Sequence, residues 1–253
     1  MRAQSIIKKT ILIAFVSLLL VIVSCKKKDN TPTPPETGTV TDIDNNTYKT
    51  VKIGNQWWMA ENLRVTHYQN GKPVKYYNGT SVDSTLWANE TTGSYCQYYN
   101  TPNIDTTYGL LYNWYAVADS RNIAPAGWHV ATDDDWKTLE KNLGMSQADA
   151  DNVNWRGTNE ADKMKVASPE DWASYGAIWS TNESGFSAKA GSCRVYEGSW
   201  GIPGTTMCGF WWTSTEHTSD NQAWFRNLDY KKTNVFRYHV VKSYGMSIRC
   251  VKN

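Results

Sequence analysis

Thirteen tryptophans stand between Trp57 and Trp224 of a 253-residue chain, while leucine and isoleucine are sparse over the same stretch. A chain loaded in this way has to build its interior from a few large rings held among loops, because each ring buries on the order of 150–250 Å². Some of these rings are also candidates for a stacking face that meets sugar rings. With 13 tryptophans, one or two are expected at the surface.

The segment ahead of the tryptophans has a different character. Arg2, Lys8 and Lys9 form a basic start, and Ile11 to Val23 is an almost unbroken apolar run. Thirteen residues fall short of the roughly 20 that span a hydrocarbon core, but suit the apolar region of a signal peptide. Ile22-Val23-Ser24-Cys25 then resembles a lipobox, in which the cysteine thiol takes a diacylglyceryl group before cleavage in front of it. Residues 1–24 are therefore expected to be a lipoprotein signal peptide and Cys25 the lipidated first residue. Acyl chains stabilise membrane attachment by about 0.8 kcal/mol per buried methylene. The expected location is the cell envelope, as a surface-exposed outer-membrane lipoprotein whose membrane partner is reached through the lipid.

Residues 25–39 read as a tether. Lys26-Lys27-Lys28 is followed by Thr31-Pro32-Thr33-Pro34-Pro35, and no apolar residue occurs before Val40. Such a stretch has nothing to bury, and its prolines favour an extended spacer. Residues 40–253 have the length of one domain. Cleavage takes away Arg2, Lys8 and Lys9 and no acidic residue, leaving 23 basic residues against 24 acidic, a formal net charge of −1. No basic stripe remains to engage nucleic acid.

Beyond Cys25 the chain has Cys96, Cys193, Cys208 and Cys250. An even number in an oxidising compartment predicts two disulfides. Cys193 and Cys208 lie a hairpin's length apart and are expected to form one of them. The spacing lacks the Cys-x-x-Cys pattern of zinc sites, and His67, His129, His217 and His239 show no metal spacing. No metal and no cofactor is expected.

Periodicity and turn chemistry predict a mixed fold. Tyr48–Ile53 and Gln56–Asn62 flank Gly54-Asn55 as a tight hairpin. Thr132 caps a helix, with Asp135 at the capping-box position and Trp136, Leu139 and Leu143 on one face, before Gly144 ends it. Further helices are expected near Ser146 and after Thr158. Ser187–Tyr196, Phe210–Thr215, Ala223–Leu228, Val235–Val240 and Met246–Val251 read as strands. Helices in the middle and strands at both ends imply an α+β domain whose termini meet in one antiparallel sheet.

Specific strings then stand out in order: 51–63, VKIGNQWWMAENL; 109–116, GLLYNWYA; 125–136, PAGWHVATDDDW; 155–160, WRGTNE; 185–188, GFSA; 210–216, FWWTSTE; and 245–251, GMSIRCV. Together they resemble the Fibrobacter succinogenes major paralogous domain family of exported Bacteroidetes and Fibrobacteres proteins. More distantly they resemble the C-type-lectin-like fold of formylglycine-generating enzymes, which implies an antiparallel sheet with central helices and long loops. The family usually has a cysteine just before the Pro-x-Gly-Trp-His string, where this chain has Ala124. The usual partner of Cys250 is thus missing, and Cys96 is expected to take its place. The sugar-binding triplets of true C-type lectins and the catalytic cysteine pair of the formylglycine enzymes are not matched. Asp83-Ser84-Thr85 and Asp105-Thr106-Thr107 resemble the short O-glycosylation signal of exported Bacteroidetes proteins, marking Ser84 and Thr106.

These features point to a non-catalytic surface binding module with a glycan ligand. The alternatives are a structural or adhesive envelope component with a cell-surface protein partner and, less well supported, a hydrolytic or oxidative enzyme. No carboxylate pair for glycoside hydrolysis can be assigned. The expected sugar platform is Trp211, Trp212, Glu216 and Trp224. Adjacent Trp211 and Trp212 on a strand point to opposite faces, so one is expected in the core and the other facing solvent.

Overall fold

The computed structural model describes residues 34–78, 81–98, 105–168, 171–172, 180–201, 207–219 and 221–253. The expected signal peptide, Cys25 and most of the tether lie outside the described residues. Along the chain run β1 (Thr37–Thr41), β2 (Thr47–Ile53), β3 (Gln56–Met59), β4 (Lys75–Tyr76), α1 (Ser81–Ala88), β5 (Ser94–Cys96), α2 (Asp105–Tyr108), β6 (Leu111–Tyr112) and α3 (Trp114–Val117). They are followed by β7 (Trp128–Val130), α4 (Asp133–Asn142), α5 (Gln147–Asp151), β8 (Asn154–Arg156), α6 (Glu160–Met164), β9 (Cys208–Glu216), β10 (Gln222–Asp229), β11 (Val235–Val241) and β12 (Cys250–Lys252). Among the described residues, no helix is long and apolar enough to cross a membrane.

The architecture is α+β, with three sheets. A five-stranded sheet has the order β1-β2-β3-β12-β7, a four-stranded sheet β8-β11-β10-β9, and a three-stranded sheet β4-β5-β6. The N-terminal strands and β12 share the first sheet, as the distribution of strands along the chain implies. The tether ends earlier than expected. Thr37, Gly38 and Thr39 pair with Val51, Thr50 and Lys49, so they belong to the domain. This edge strand is solvated on nearly all its residues and is held by its backbone ladder, which an apolar pattern cannot reveal.

Local chemistry explains the elements that follow the sequence pattern. Gly54 turns the β2–β3 hairpin at a φ of 58°, a left-handed conformation that glycine adopts without a Cβ clash. The Thr132 hydroxyl accepts the Asp135 amide at 3.0 Å, and the Asp135 carboxylate accepts the Thr132 amide at 2.9 Å, closing a capping box on α4. The Ser146 hydroxyl likewise accepts the Asp149 amide, at 3.0 Å, and caps α5. Ser187–Tyr196, by contrast, is not a strand. It makes four isolated bridges, from Ala188 to Lys165, from Ser192 to Gly209, and from Arg194 to Trp200 and Gly245. Left-handed backbone at Ser187 and Ser192 prevents a continuous ladder.

Residues 245–251 stitch the sheets together. Gly245 and Met246 bridge to Arg194 and Tyr112, Ser247 lies beside Trp211 of β9, and Cys250 and Val251 join β7 and β3. The core follows this seam in three parts. One contains Tyr112, Trp212, Phe225, Met246, Ile248 and Cys250. A second is an aromatic nest in which Trp136 meets Trp58, Phe186 and Trp211 with ring centroids 5.3–6.2 Å apart. A third, smaller part holds Tyr77, Trp87, Cys96 and Tyr98.

Five buried charges fasten α4 to the four-stranded sheet. Asp133 receives Arg226 and Arg237, each at 2.7 Å, and Glu140 receives Arg226 at 2.7 Å and Arg156 at 2.6 Å. Burial opposes ionisation of Asp133, but the two guanidiniums hold its carboxyl well below the usual carboxylate range. In the first turn of α4, Asp133 is thus committed to arginine pairing and Asp135 to capping.

The expected disulfides are not formed. Cys96, Cys193, Cys208 and Cys250 are all free, buried thiols. Cys96 sits in the smallest core part, whereas Cys250 belongs to the first. The Cys208 sulfur lies 3.2 Å from an Asp229 carboxylate oxygen.

Candidate functional site

The expected sugar platform is not open. Trp211 and Trp212 do point to opposite faces of β9, but both faces are covered and each ring is 0 % exposed. Trp211 enters the aromatic nest and donates to the Asn62 side-chain oxygen at 2.9 Å, while Trp212 donates to the Tyr112 carbonyl at 2.9 Å. Trp224 on β10 is half-buried, with Arg237 packed 3.7 Å over its ring and the rings of His217 and His239 set edge-on to it. Glu216 is exposed but pairs with Lys242. Stacking on a tryptophan face in this region is therefore ruled out for Trp211 and Trp212 and obstructed at Trp224. The two glycosylation candidates also differ. Ser84 is half-buried and its hydroxyl donates to the Gly198 carbonyl at 3.1 Å, whereas Thr106 is exposed.

A different site emerges where three of the recognised strings converge. A cavity of about 320 Å³ is lined by Lys49, Ala60, Glu61, Asn62, Thr106, Thr107, Val166, Ser187, Lys189 and Arg249. Its lining comes from β2, the turn after β3, α2, the bridging segment after Phe186 and the seam before β12. Asn62 is its organising residue. The side-chain oxygen accepts Trp211 Nε1 and Arg249 Nε, at 2.9 and 2.6 Å. The amide nitrogen donates to the Tyr108 carbonyl at 2.8 Å and the Ser247 hydroxyl at 3.2 Å. All of its ordinary hydrogen-bonding capacity is used. Gly109 makes this approach feasible: at a φ of 75° its backbone lies so close that an added Cβ would sit 2.6 Å from the Asn62 Cβ.

Arg249 is held beside it. Nη1 donates to the carbonyls of Met59 and Phe186, both at 2.8 Å, and Nη2 to that of Ser187 at 3.1 Å. The residue is 1 % exposed, and among the described residues no carboxylate lies within ion-pair distance of it. Burial pushes its pKa down to about 9, opposed in part by the charge of Glu61. Glu61 itself accepts the Lys49 backbone amide at 2.6 Å.

The sequence profile of the Fibrobacter succinogenes major domain matches residues 51–252. The chain belongs to this family. The match spans every described strand except β1 and the start of β2, and it includes all the cavity-lining residues but Lys49. No curated protein and no solved structure matches the chain. In this member of the family the strings at 51–63, 185–188 and 245–251 supply Glu61, Asn62, Ser187 and Arg249 to one place.

A smaller cavity of about 260 Å³ is lined by Thr41, Asp42, Ile43, Gln69, Ala124, Pro125 and Ala126. Its one charged residue, Asp42, is already saturated by the amides of Asp44 and Asn46, the Asn46 side chain and the Tyr48 hydroxyl. Among the described residues, no group of three or more His, Cys, Asp or Glu side chains is placed to hold a metal ion.

Proposed function

We propose that the chain is a membrane-anchored, surface-exposed outer-membrane lipoprotein that acts as a non-catalytic binding module for glycans, with the cavity over Asn62 and Arg249 as its site. The observation that carries this reading is the cavity's lining: charged and hydroxyl side chains around a buried floor in which Asn62 is fully hydrogen-bonded. Sites for small polar ligands are concave, pre-formed and furnished with a few fixed polar groups. Glu61 is the one carboxylate in the lining, which supports binding over the paired-carboxylate chemistry of a glycosidase. A C-type-lectin-like scaffold is the finer fold reading, supported by the pairing of N-terminal strands with β12 in one sheet. The anchor rests on the lipobox-like Ile22-Val23-Ser24-Cys25.

Detergent-solubilised full-length protein on a glycan array tests the reading. Binding to a subset of glycans is expected, lost in Thr107→Trp, which fills the cavity mouth from an exposed position. Unchanged binding by that variant would move the site elsewhere. A blank array would favour the structural or adhesive role with a protein partner. Replacing Cys25 with Ser tests the anchor separately, and acyl labelling should disappear.

A further inference from the structure

The cavity over Asn62 carries an excess of positive charge. Its lining holds Lys49, Lys189 and Arg249 against Glu61. Lys189 is already matched by Asp171 at 3.1 Å. The Lys49 ammonium is exposed, and no hydrogen bond or ion pair engages it among the described residues. Arg249 is the most unusual of the three. A guanidinium has five N–H donors. Asn62, Met59, Phe186 and Ser187 take four of them, all through neutral oxygens. The remaining Nη2 N–H has no acceptor among the described residues, and Arg249 lines the cavity. Removing a charge from water without a counter-charge is costly, and an anion brought to it recovers part of that cost. Charge-assisted hydrogen bonds to carboxylate are also about twice as strong as neutral ones.

We propose that the ligand is an anionic glycan presenting a uronic-acid carboxylate to this cavity, where the carboxylate meets the remaining Arg249 N–H and the Lys49 ammonium. The sugar hydroxyls are met by Glu61 as acceptor and by the Thr107 hydroxyl, both in the lining. This inference rests on the cavity being the binding site. The arrangement divides the labour. Arg249, buried and held by four hydrogen bonds, sets where the charge must sit, while Lys49 sits on the exposed face of β2 and adds attraction that salt weakens.

The test is titration calorimetry of full-length protein with tetragalacturonate, its methyl ester and a neutral galactotetraose. The acid is expected to bind at least about tenfold more tightly than the ester. Lys49→Gln should weaken acid binding about threefold or more and leave the ester unaffected. Because Lys49 is exposed, this variant keeps the test usable even where an Arg249 variant fails to fold. Equal affinity for acid and ester, or acid binding indifferent to Lys49→Gln, would overturn the inference. Binding of the neutral tetrasaccharide without the acid would sink it too, while leaving the glycan-binding reading intact. If none of the three probes binds and the glycan array is also blank, both fall.

Discussion

Asn62 and Arg249 are joined by a 2.6 Å hydrogen bond from the guanidinium Nε to the amide oxygen, although 187 residues separate them in the chain. The same oxygen takes the Trp211 indole, so one neutral side chain registers β9 and the seam leading into β12 against the turn after β3. Replacing Asn62 with Ala strips acceptors from two buried donors at once. Each orphaned group costs about 1–3 kcal/mol, so we expect a loss of about 3 kcal/mol, measured by urea denaturation. A loss below about 1 kcal/mol would mean that Asn62 does not organise the site.

Stability should depend on pH through His129, whose Nε2 lies 3.0 Å from the Asp135 carboxylate. The hydrogen bond to Asp135 raises the His129 pKa above its ordinary 6.5. Because the folded value exceeds the unfolded one, this stabilisation is complete below about pH 6.5 and is lost as pH rises through the folded pKa. His129→Gln should therefore lower the melting temperature more at pH 5.5 than at pH 8.5. An equal decrease at both pH values would refute the link.

The cysteines should be chemically silent in the folded protein. Burial pushes Cys96 up to about 11 and Cys193 and Cys208 up to about 12, and it also raises Cys250. Iodoacetamide at neutral pH is expected to modify none of the four until denaturant is added, and then all four. Four residues blocked even after denaturation, but released by a reductant, would show instead that they pair.

The two glycosylation candidates should separate. Thr106 is exposed at the rim of the cavity, whereas the Ser84 hydroxyl is engaged with Gly198 in a tight backbone approach. Peptide mapping of protein from the native host is expected to find sugar on Thr106 and none on Ser84. The reverse pattern would mean that the signal is read before this packing forms.

What the sequence reveals is the chemistry that acts over a few residues. Gly54 in its hairpin, the Thr132–Asp135 capping box, and the Trp136-Leu139-Leu143 face are legible because the partners lie within a turn or two. The alternation of Trp211 and Trp212 is legible as well, but alternation says only that they diverge, not whether either side meets water. That depends on Phe186, Met246 and other residues that arrive from far along the chain. The cavity is hidden for the same reason: Lys49, Asn62, Thr107, Ser187 and Arg249 are unremarkable until the fold assembles them. The signal in the sequence is positional, since Glu61-Asn62 and Arg249 lie within the strings that carry the family resemblance. The thiols show the limit of counting, because an even number of cysteines says nothing of the distances between them.

The back-to-back tryptophans of β9 also set how the domain comes apart. Trp211 plugs one hydrophobic compartment and Trp212 the next, so the same strand forms a wall of both. Neither compartment can melt and leave the other intact, since β9 cannot leave one without leaving the other. Unfolding should then be a single transition, and the most slowly exchanging backbone amides on both sides of β9 should report one common opening free energy. The strand thereby turns two modest interiors into one cooperative unit.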